Sequence, residues 1–243
     1  MKQEKAYKLL AIATNISHNE AKSMIDSGIV YVGHRRLRVA RALLDTKTHF
    51  RIEKIAKPSV LYKQDSLLIL DKPCLMTSEE LLRFYPDYQL LNRLDKETSG
   101  VILLGLKDDE ELQKKTIHAF KKQEVYKEYL AIVNGLINDE MQIDKPILTQ
   151  KNSKAKSTIH QKGKPALTHI TPLEYENKKT LLKVVIKTGR THQIRAHLAS
   201  IGYPILGDMQ YGGKEAKRIF LHSHKINLFN IQITAQKPSD FKL

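Results

Sequence analysis

The 243 residues include a single cysteine, Cys74, and no tryptophan. Nowhere does the chain stay apolar for the roughly 18–20 positions a bilayer-spanning helix needs, and stretches such as Val101 to Leu106 are short. A lone cysteine excludes an internal disulfide and a cysteine-based structural zinc site, and Cys74 reads as a small filler side chain. The opening stretch, MKQEKAYKLLAIATN, is charged and amphipathic, without the apolar centre and cleavage site of an export leader, so the expected compartment is the cytoplasm. Acidic residues are the scarcer charge, 26 Asp and Glu against 41 Lys and Arg, which leaves +15. Such an excess attracts polyanions and says nothing about fold. Nucleic acid is the leading expected partner. An anionic membrane surface is the weaker alternative, because no basic amphipathic helix with a bulky apolar face is evident. The length suits one sizeable core plus a small module, or one larger domain, and a monomer is the default.

The first 56 residues read as a basic module, with 11 basic against 5 acidic residues, a net +6. Leu9, Leu10, Ile12 and Ala13 suggest a short helical stripe. Ser17, with Glu20 three residues on, has the spacing of a capping box for a second helix that turns Ala21, Met24 and Ile25 inward and stops at Gly28. Ile29 to Val32, a Gly33-His34 turn and the returning Arg35 to Val39 read as a β-hairpin. Arg35, Arg36, Arg38 and Arg41, together with the N-terminus of the second helix, are candidate phosphate contacts. The arrangement, chiefly NEAKSMIDSGIVYVGHRRLR, resembles the small αL RNA-binding domain of small-subunit ribosomal protein four. That resemblance covers about residues 5 to 56.

Lys57-Pro58-Ser59 is the expected boundary, since proline cannot continue a helix and biases the residue before it to extended structure. Beyond it, short apolar strands are expected at Leu67 to Leu70, Val101 to Leu106, Tyr126 to Val133 and Leu181 to Ile186. Helical patterns cover Asp108 to Phe120 and Thr191 to Ile201. Strands and helices do not alternate regularly, so residues 57–243 are expected to form an α+β domain on a mostly antiparallel mixed sheet flanked by helices, not a doubly wound one. Residues 151 to 164, with five lysines and no acid, read as a mobile basic loop.

Two polar segments adjoin apolar strands. The first, NRLDKETSG over residues 92–100, runs into Val101 to Leu104. The second, TGRTHQIRAHL over residues 188–198, reads as a strand-to-helix turn with Thr191 as N-cap and Ile194, Leu198 and Ile201 on the core stripe. His192 and Arg195, three residues apart, then share a different face. Taken alone, an Asp in RLD would cap a turn, Tyr129 would be a cross-strand tyrosine, Arg195 a surface helix residue and Leu221 plain core. His192, His197, His222 and His224 do not have the spacing of a metal-ligand set, so no metal is expected. Gly212-Gly213-Lys214 lacks the upstream glycine and following hydroxyl of a phosphate loop.

NRLDKETSG and TGRTHQIRAHLASIGYPILGDMQYGG together resemble the signature motifs of RluA-type pseudouridine synthases. Leu70-Asp71-Lys72-Pro73 is similar to the family's first motif, Lys127 to Ala131 to its tyrosine strand, and Phe220 to Ser223 with Pro238 to Phe241 to its end. The resemblance spans about residues 60 to 241. It implies that Asp95 is the catalytic carboxylate, Tyr129 packs on the target base and serves as the base at its carbon five, and Arg195 ion-pairs with Asp95. Arg93 would enter the RNA stack as the target nucleotide leaves it, and Leu221 would lie beside the base. Arg190, His192, Gln193 and Lys72 are further candidate substrate contacts within the matching motifs. Large-subunit ribosomal RNA is the leading expected substrate, with transfer RNA, a dual target or a non-catalytic ribosome-assembly role as alternatives. Such residue types suit the chemistry. A carboxylate can attack the sugar, attack the base or remove a sugar proton, and a guanidinium keeps it ionised. Nothing is oxidised and no phosphate is transferred, so no cofactor is expected. Two departures stand out: Asn92 replaces the usual His, and Lys72-Pro73 is followed by Cys74-Leu75-Met76-Thr77-Ser78 without the usual Gly and His. The second puts the shape of one cleft wall in question.

Overall fold

A computed structural model describes residues 2–150 and 155–243. Contacts divide the chain into two compact units, 1–56 and 57–243.

In the first unit, helices Ala6–Thr14 and His18–Ser27 pack with the strands Val30–Val32, Arg35–Arg36 and Phe50–Ile52, while Gln3–Lys5 pairs with Leu43–Asp45. The capping box forms: Ser17 Oγ accepts from Glu20 N at 3.2 Å, and Glu20 Oε2 accepts from Ser17 N at 2.9 Å. The helix ends on Gly28 at φ 79°, a left-handed position that glycine adopts without steric cost. Of the expected stripe the first helix buries only Leu10, together with Ala6 and Ala11, and leaves Ile12 78% exposed. Leu10 thus shares its face with residues four before and one after it, and the unit's core closes with Ala21, Ile25, Val30 and Leu37. The returning hairpin strand is only Arg35–Arg36, shorter than expected.

The second unit is built on a ten-stranded sheet. From one edge its strands run Met141–Asp144, Leu167–Glu176, Lys179–Ile186, Tyr126–Asn134, Leu221–Leu228, Ser99–Leu106, Leu67–Lys72 and Ser59–Gln64, with Ile231–Thr234 added to Leu221–Leu228 and Tyr88–Leu90 to Ser99–Leu106. Every pairing is antiparallel except the one between Leu221–Leu228 and Ser99–Leu106, so the α+β class on a mostly antiparallel mixed sheet is what the chain adopts. Leu67, Ile69, Val101 and Leu103 pack with Ala119 of helix Glu110–Lys121. The alternate residues Leu68, Leu70, Ile102 and Leu104 are equally buried, which is why these strands read as continuous apolar runs and not as an alternation. Helix Gln193–Ser200 packs Ala196 against Ile147, Ala166, Ile159 and Tyr211, beside the small ribbon of Ile147–Gln150 and Lys156–Ile159. That ribbon corrects part of the expected basic loop. Lys156–Ile159 is a strand because Ser157 and Thr149 pair inward, whereas residues 151–154 lie outside the described ones.

The parallel seam brings three strands into register around one point. Gly100 lies opposite Ser223, and Ser223 lies opposite Tyr129. Gly100 has φ 109°, and a Cβ built on it would sit 2.1 Å from the Ser223 carbonyl oxygen. Neither the backbone conformation nor the spacing admits a side chain. Gly100→Ala is therefore expected to destabilise the second unit by about 2–4 kcal/mol, through clash and strain together. Gly189→Ala, with open space around it, should shift the urea midpoint far less; equal midpoints for the two variants would contradict the close-approach account.

Candidate active site

Asp95 sits on the turn that feeds strand Ser99–Leu106, and backbone clamps hold that turn. Thr98 N donates to Asp95 O at 3.1 Å and Leu75 N to Lys96 O at 2.9 Å. Ser78, 1% exposed, grips Leu94 twice: its Oγ accepts from Leu94 N at 3.0 Å and donates to Leu94 O at 2.9 Å. Cys74 Sγ donates to Glu97 O at 3.0 Å. The atypical 74–78 segment thus supplies three of the clamps. The other departure also has a structural role, since Asn92 Oδ1 accepts from Leu103 N at 2.8 Å and ties the turn to its strand.

Lys72, expected to touch substrate, is instead fully buried. Its ammonium donates to the carbonyls of Met76 (2.7 Å), Pro73 (3.0 Å) and Lys96 (3.3 Å), joining the 73–76 loop to the Asp95 turn. Burial pushes its pKa down to about 8. Gln193 lines the cleft. It is 3% exposed, and its amide is spent on Thr188 Oγ1, Arg190 N, Leu167 O and Thr168 Oγ1. It shapes the turn and has little left to offer a ligand. The helix is capped differently from expectation too: His192, at φ 51°, occupies the N-cap position and Thr191 precedes it.

Across the cleft, Arg195 is 3% exposed, and its main partner was not foreseen. Asp208, fully buried, accepts from Arg195 Nε at 2.6 Å and from NH2 at 2.9 Å, while NH1 points toward Asp95 Oδ2 at 3.5 Å. Gln210 Oε1 accepts from NH2 at 3.0 Å. Burial by itself would push the guanidinium down, but the hydrogen bonds and charge of Asp208, with Asp95 and Glu97 adding to it, raise its pKa overall. It is a fixed cation. His192 places Nε2 3.7 Å from the same Asp95 oxygen. Burial pushes this imidazole down, against the pull of Asp95, which favours the neutral ring.

Tyr129 enters from the middle of the sheet, where a β-bulge between Glu128 and Tyr129 shifts the register against strand Leu221–Leu228, a device that re-aims a side chain. Burial pushes its phenol up to about 12, with the Ser223 hydrogen bond opposing and the Asp95 charge adding to the rise. Asp95, Tyr129, Arg195 and Leu221 line one cleft of about 710 Å³, with Arg93, Arg190 and His192 on its walls. Arg93 is at the rim, its side chain 75% exposed and 3.0 Å from Glu79. Arg190 Nε donates to Pro165 O at 3.1 Å. Both nitrogens of the His197 ring are engaged, by Thr168 Oγ1 and Lys145 O. Among the described residues, no three His, Cys, Asp or Glu side chains are grouped to hold a metal ion, and no helix is long and apolar enough to cross a membrane.

Residues 55–200 match the family described as RNA pseudouridylate synthase. The chain is 52% identical over 242 residues to an uncharacterised RNA pseudouridine synthase of Helicobacter pylori (strain J99), covering 99% of this chain and 100% of that protein. It is 33% identical to the ribosomal large subunit pseudouridine synthase C of Buchnera aphidicola subsp. Baizongia pistaciae, covering 81% of this chain and 72% of the relative. Among solved structures, human RNA pseudouridylate synthase domain containing 1 superposes with a TM-score of 0.66 at 26% identity, covering 74% of this chain and 84% of that one. With the motifs, the fold and these likenesses in agreement, the chain belongs to the RNA pseudouridylate synthase family, in its RluA-type branch.

Proposed function

We propose that this chain isomerises uridine to pseudouridine in large-subunit ribosomal RNA, with Asp95 as the catalytic carboxylate. The observation that carries the reading is the convergence of Asp95, Tyr129, Arg195 and Leu221 on one cleft, of a size that takes a single extruded nucleoside. The ribosomal target is supported by the name of the Buchnera relative.

In the reaction the bond between N1 and the sugar C1′ breaks, the uracil turns, and C5 bonds to C1′ while its proton leaves and N1 gains one. Nothing is consumed. Asp95, its side chain 26% exposed, can trap or stabilise the sugar. A phenol whose pKa is about 12 is protonated at neutral pH, so Tyr129 first stacks on the base and donates a hydrogen bond. It can accept the C5 proton only by passing its own on. Extruding a base costs a few kcal/mol. Arg93 is suited to filling the gap, because an exposed ion pair such as the one with Glu79 gives up about 1 kcal/mol or less when broken.

The first unit is assigned as an αL-type RNA-binding module, on the strength of its helix pair and its exposed Arg35, Arg38 and Arg41. Arg36 fits this role less well. It donates through Nε (3.1 Å) and NH2 (2.6 Å) to Tyr31 Oη, which itself donates to Glu53 at 2.7 Å.

Mapping pseudouridines in total RNA from cells carrying the intact gene, Asp95→Asn or no gene is expected to show the same sites in large-subunit RNA lost in both altered strains. Sites that persist with Asp95→Asn would remove the catalytic assignment, and losses confined to transfer RNA would replace the target. Stability should separate the two carboxylates. Asp95→Asn is expected to change unfolding by no more than about 1 kcal/mol, whereas Asp208→Asn strips a buried cation of its partner and should cost about 3 kcal/mol. Comparable urea midpoints would contradict the division between them. Truncation to residues 57–243 is expected to weaken RNA binding and to flatten the log–log salt dependence by roughly two to three, close to 0.9 for each phosphate contact given up. An unchanged slope would dismiss the module as an RNA contact.

A further inference from the structure

We propose that His192 is a positioning residue for Asp95, held by Tyr211 as the Nε2–H tautomer so that it donates toward one carboxylate oxygen and leaves the other for the sugar. The proposal rests on the assignment of Asp95 as the catalytic carboxylate.

The hydrogen-bond chain begins at a backbone group whose direction is not in doubt. Ser157 N donates to Tyr211 Oη at 2.8 Å. Tyr211 Oη retains one hydrogen and one lone pair, and His192 Nδ1 lies 3.0 Å away. With the proton on Nδ1, the tyrosine hydrogen would have no acceptor in this bond, and the bare Nε2 lone pair would face Asp95 Oδ2 at 3.7 Å. With the proton on Nε2, Tyr211 donates to Nδ1 and the ring's N–H faces the carboxylate. Both ends of the ring select the same tautomer. Burial favours the neutral imidazole, and the charges that act on it are Asp95, Arg195, Glu97 and Asp208.

Arg195 NH1 and His192 Nε2 converge on the same oxygen, Oδ2, at 3.5 and 3.7 Å. At 3.5 Å the first is a long hydrogen bond and at 3.7 Å the second falls beyond one, so the pair restrains the carboxylate loosely in the unliganded site, and such distances can shorten when substrate closes it. The chain is anchored in the ribbon Ile147–Gln150/Lys156–Ile159. Ser157 Oγ donates to Thr191 O at 2.6 Å, directly before His192, and Gln210 joins Arg195 to the Ala155 carbonyl, to which its Nε2 donates at 3.0 Å. Both donors to Asp95 are therefore braced from the same strand end.

The test combines imidazole ¹⁵N spectra of the full chain with single-turnover tritium release from RNA of gene-deleted cells labelled with 5-tritiated uridine. The Nε2–H form is expected at His192 in the wild type and a tautomer mixture in Tyr211→Phe. His192→Asn keeps a residue that tolerates the left-handed backbone but moves the amide to the Nδ1 place; it should slow turnover roughly ten- to hundredfold, the scale of one hydrogen bond to a charged group. His192→Gln fits that backbone less well, yet sets an N–H near the Nε2 place, and should stay within about threefold. RNA affinity should change less than about twofold in both, as positioning without substrate contact requires. An Nδ1–H signal in the wild type, a fast Asn variant beside a slow Gln variant, or affinity falling as much as rate would overturn the proposal. Inactive Asp95→Asn with wild-type rates in both His192 variants would defeat this inference alone; active Asp95→Asn would remove the assignment beneath it.

Discussion

The buried pair of Arg195 and Asp208 is the constraint on which the site depends. Removing a guanidinium and a carboxylate from water costs several kcal/mol per ion, recovered only where geometry is close and the remaining donors are satisfied. Here the bidentate bonds of 2.6 and 2.9 Å use Nε and NH2, Gln210 takes a further contact, and the Tyr211 ring lies 5.0 Å from the guanidinium carbon. Only NH1 is left to face the cleft. Had Asp95 been the bidentate partner, its lone pairs would be occupied by the guanidinium. Asp208 carries that load, so the Asp95 carboxylate meets the guanidinium only through NH1, at 3.5 Å.

Asp95 in turn is positioned by its backbone more than by its side chain. Ser78, Cys74, Leu75 and Lys72 hold the carbonyls and amides of residues 94, 96 and 97, and Asn92 binds the following strand. A turn fixed in this way can present a carboxylate without enclosing it. The close approach of Gly100 to Ser223 sets the spacing of the seam, and the bulge before Tyr129 turns the phenol into the same space. The parallel pairing is short, two residue pairs, but it brings Ser99, just after the Asp95 turn, beside His222, just after Leu221.

Local features were the ones legible in the sequence. The Ser17–Glu20 box and the Gly28 stop follow from spacing within a single helix, whereas His192 reaches the Arg195 side of the cleft from a left-handed N-cap and not from a helical face. The long motifs located Asp95, Tyr129 and Leu221 through their resemblance. What was missed depends on contacts distant in sequence. Asp208 lies in a segment that matched the family, yet nothing local says that an acid after Ile205, Leu206 and Gly207 turns inward onto Arg195. Lys72 lies in a matching motif, but a motif does not reveal which way a side chain points, and this one turns into the protein; Gln193 lines the cleft with its amide bonded to its own turn and the neighbouring strand. Arg36 was one of four arginines with equal claim until Tyr31 and Glu53 drew it inward. The polar composition of residues 155–159 concealed a strand, because its stabilising bonds run from Ser157 to Thr191 and Tyr211.

Charge separates capture from chemistry. The chain carries +15, enough to steer an RNA backbone from a distance. Among the described residues the cleft does not share that excess: Arg93, Lys96, Arg190 and Arg195 line it together with Glu79, Asp95 and Glu97, four cations against three carboxylates. A strongly positive pocket would hold phosphates, and it would compete with the nucleoside for the space over Tyr129. A nearly balanced pocket has little hold on the backbone and suits an uncharged uridine stacked on the phenol. Because the buried guanidinium of Arg195 is already matched by Asp208, the carboxylate of Asp95 is left facing the cleft, where the proposed reaction would develop positive charge on the sugar.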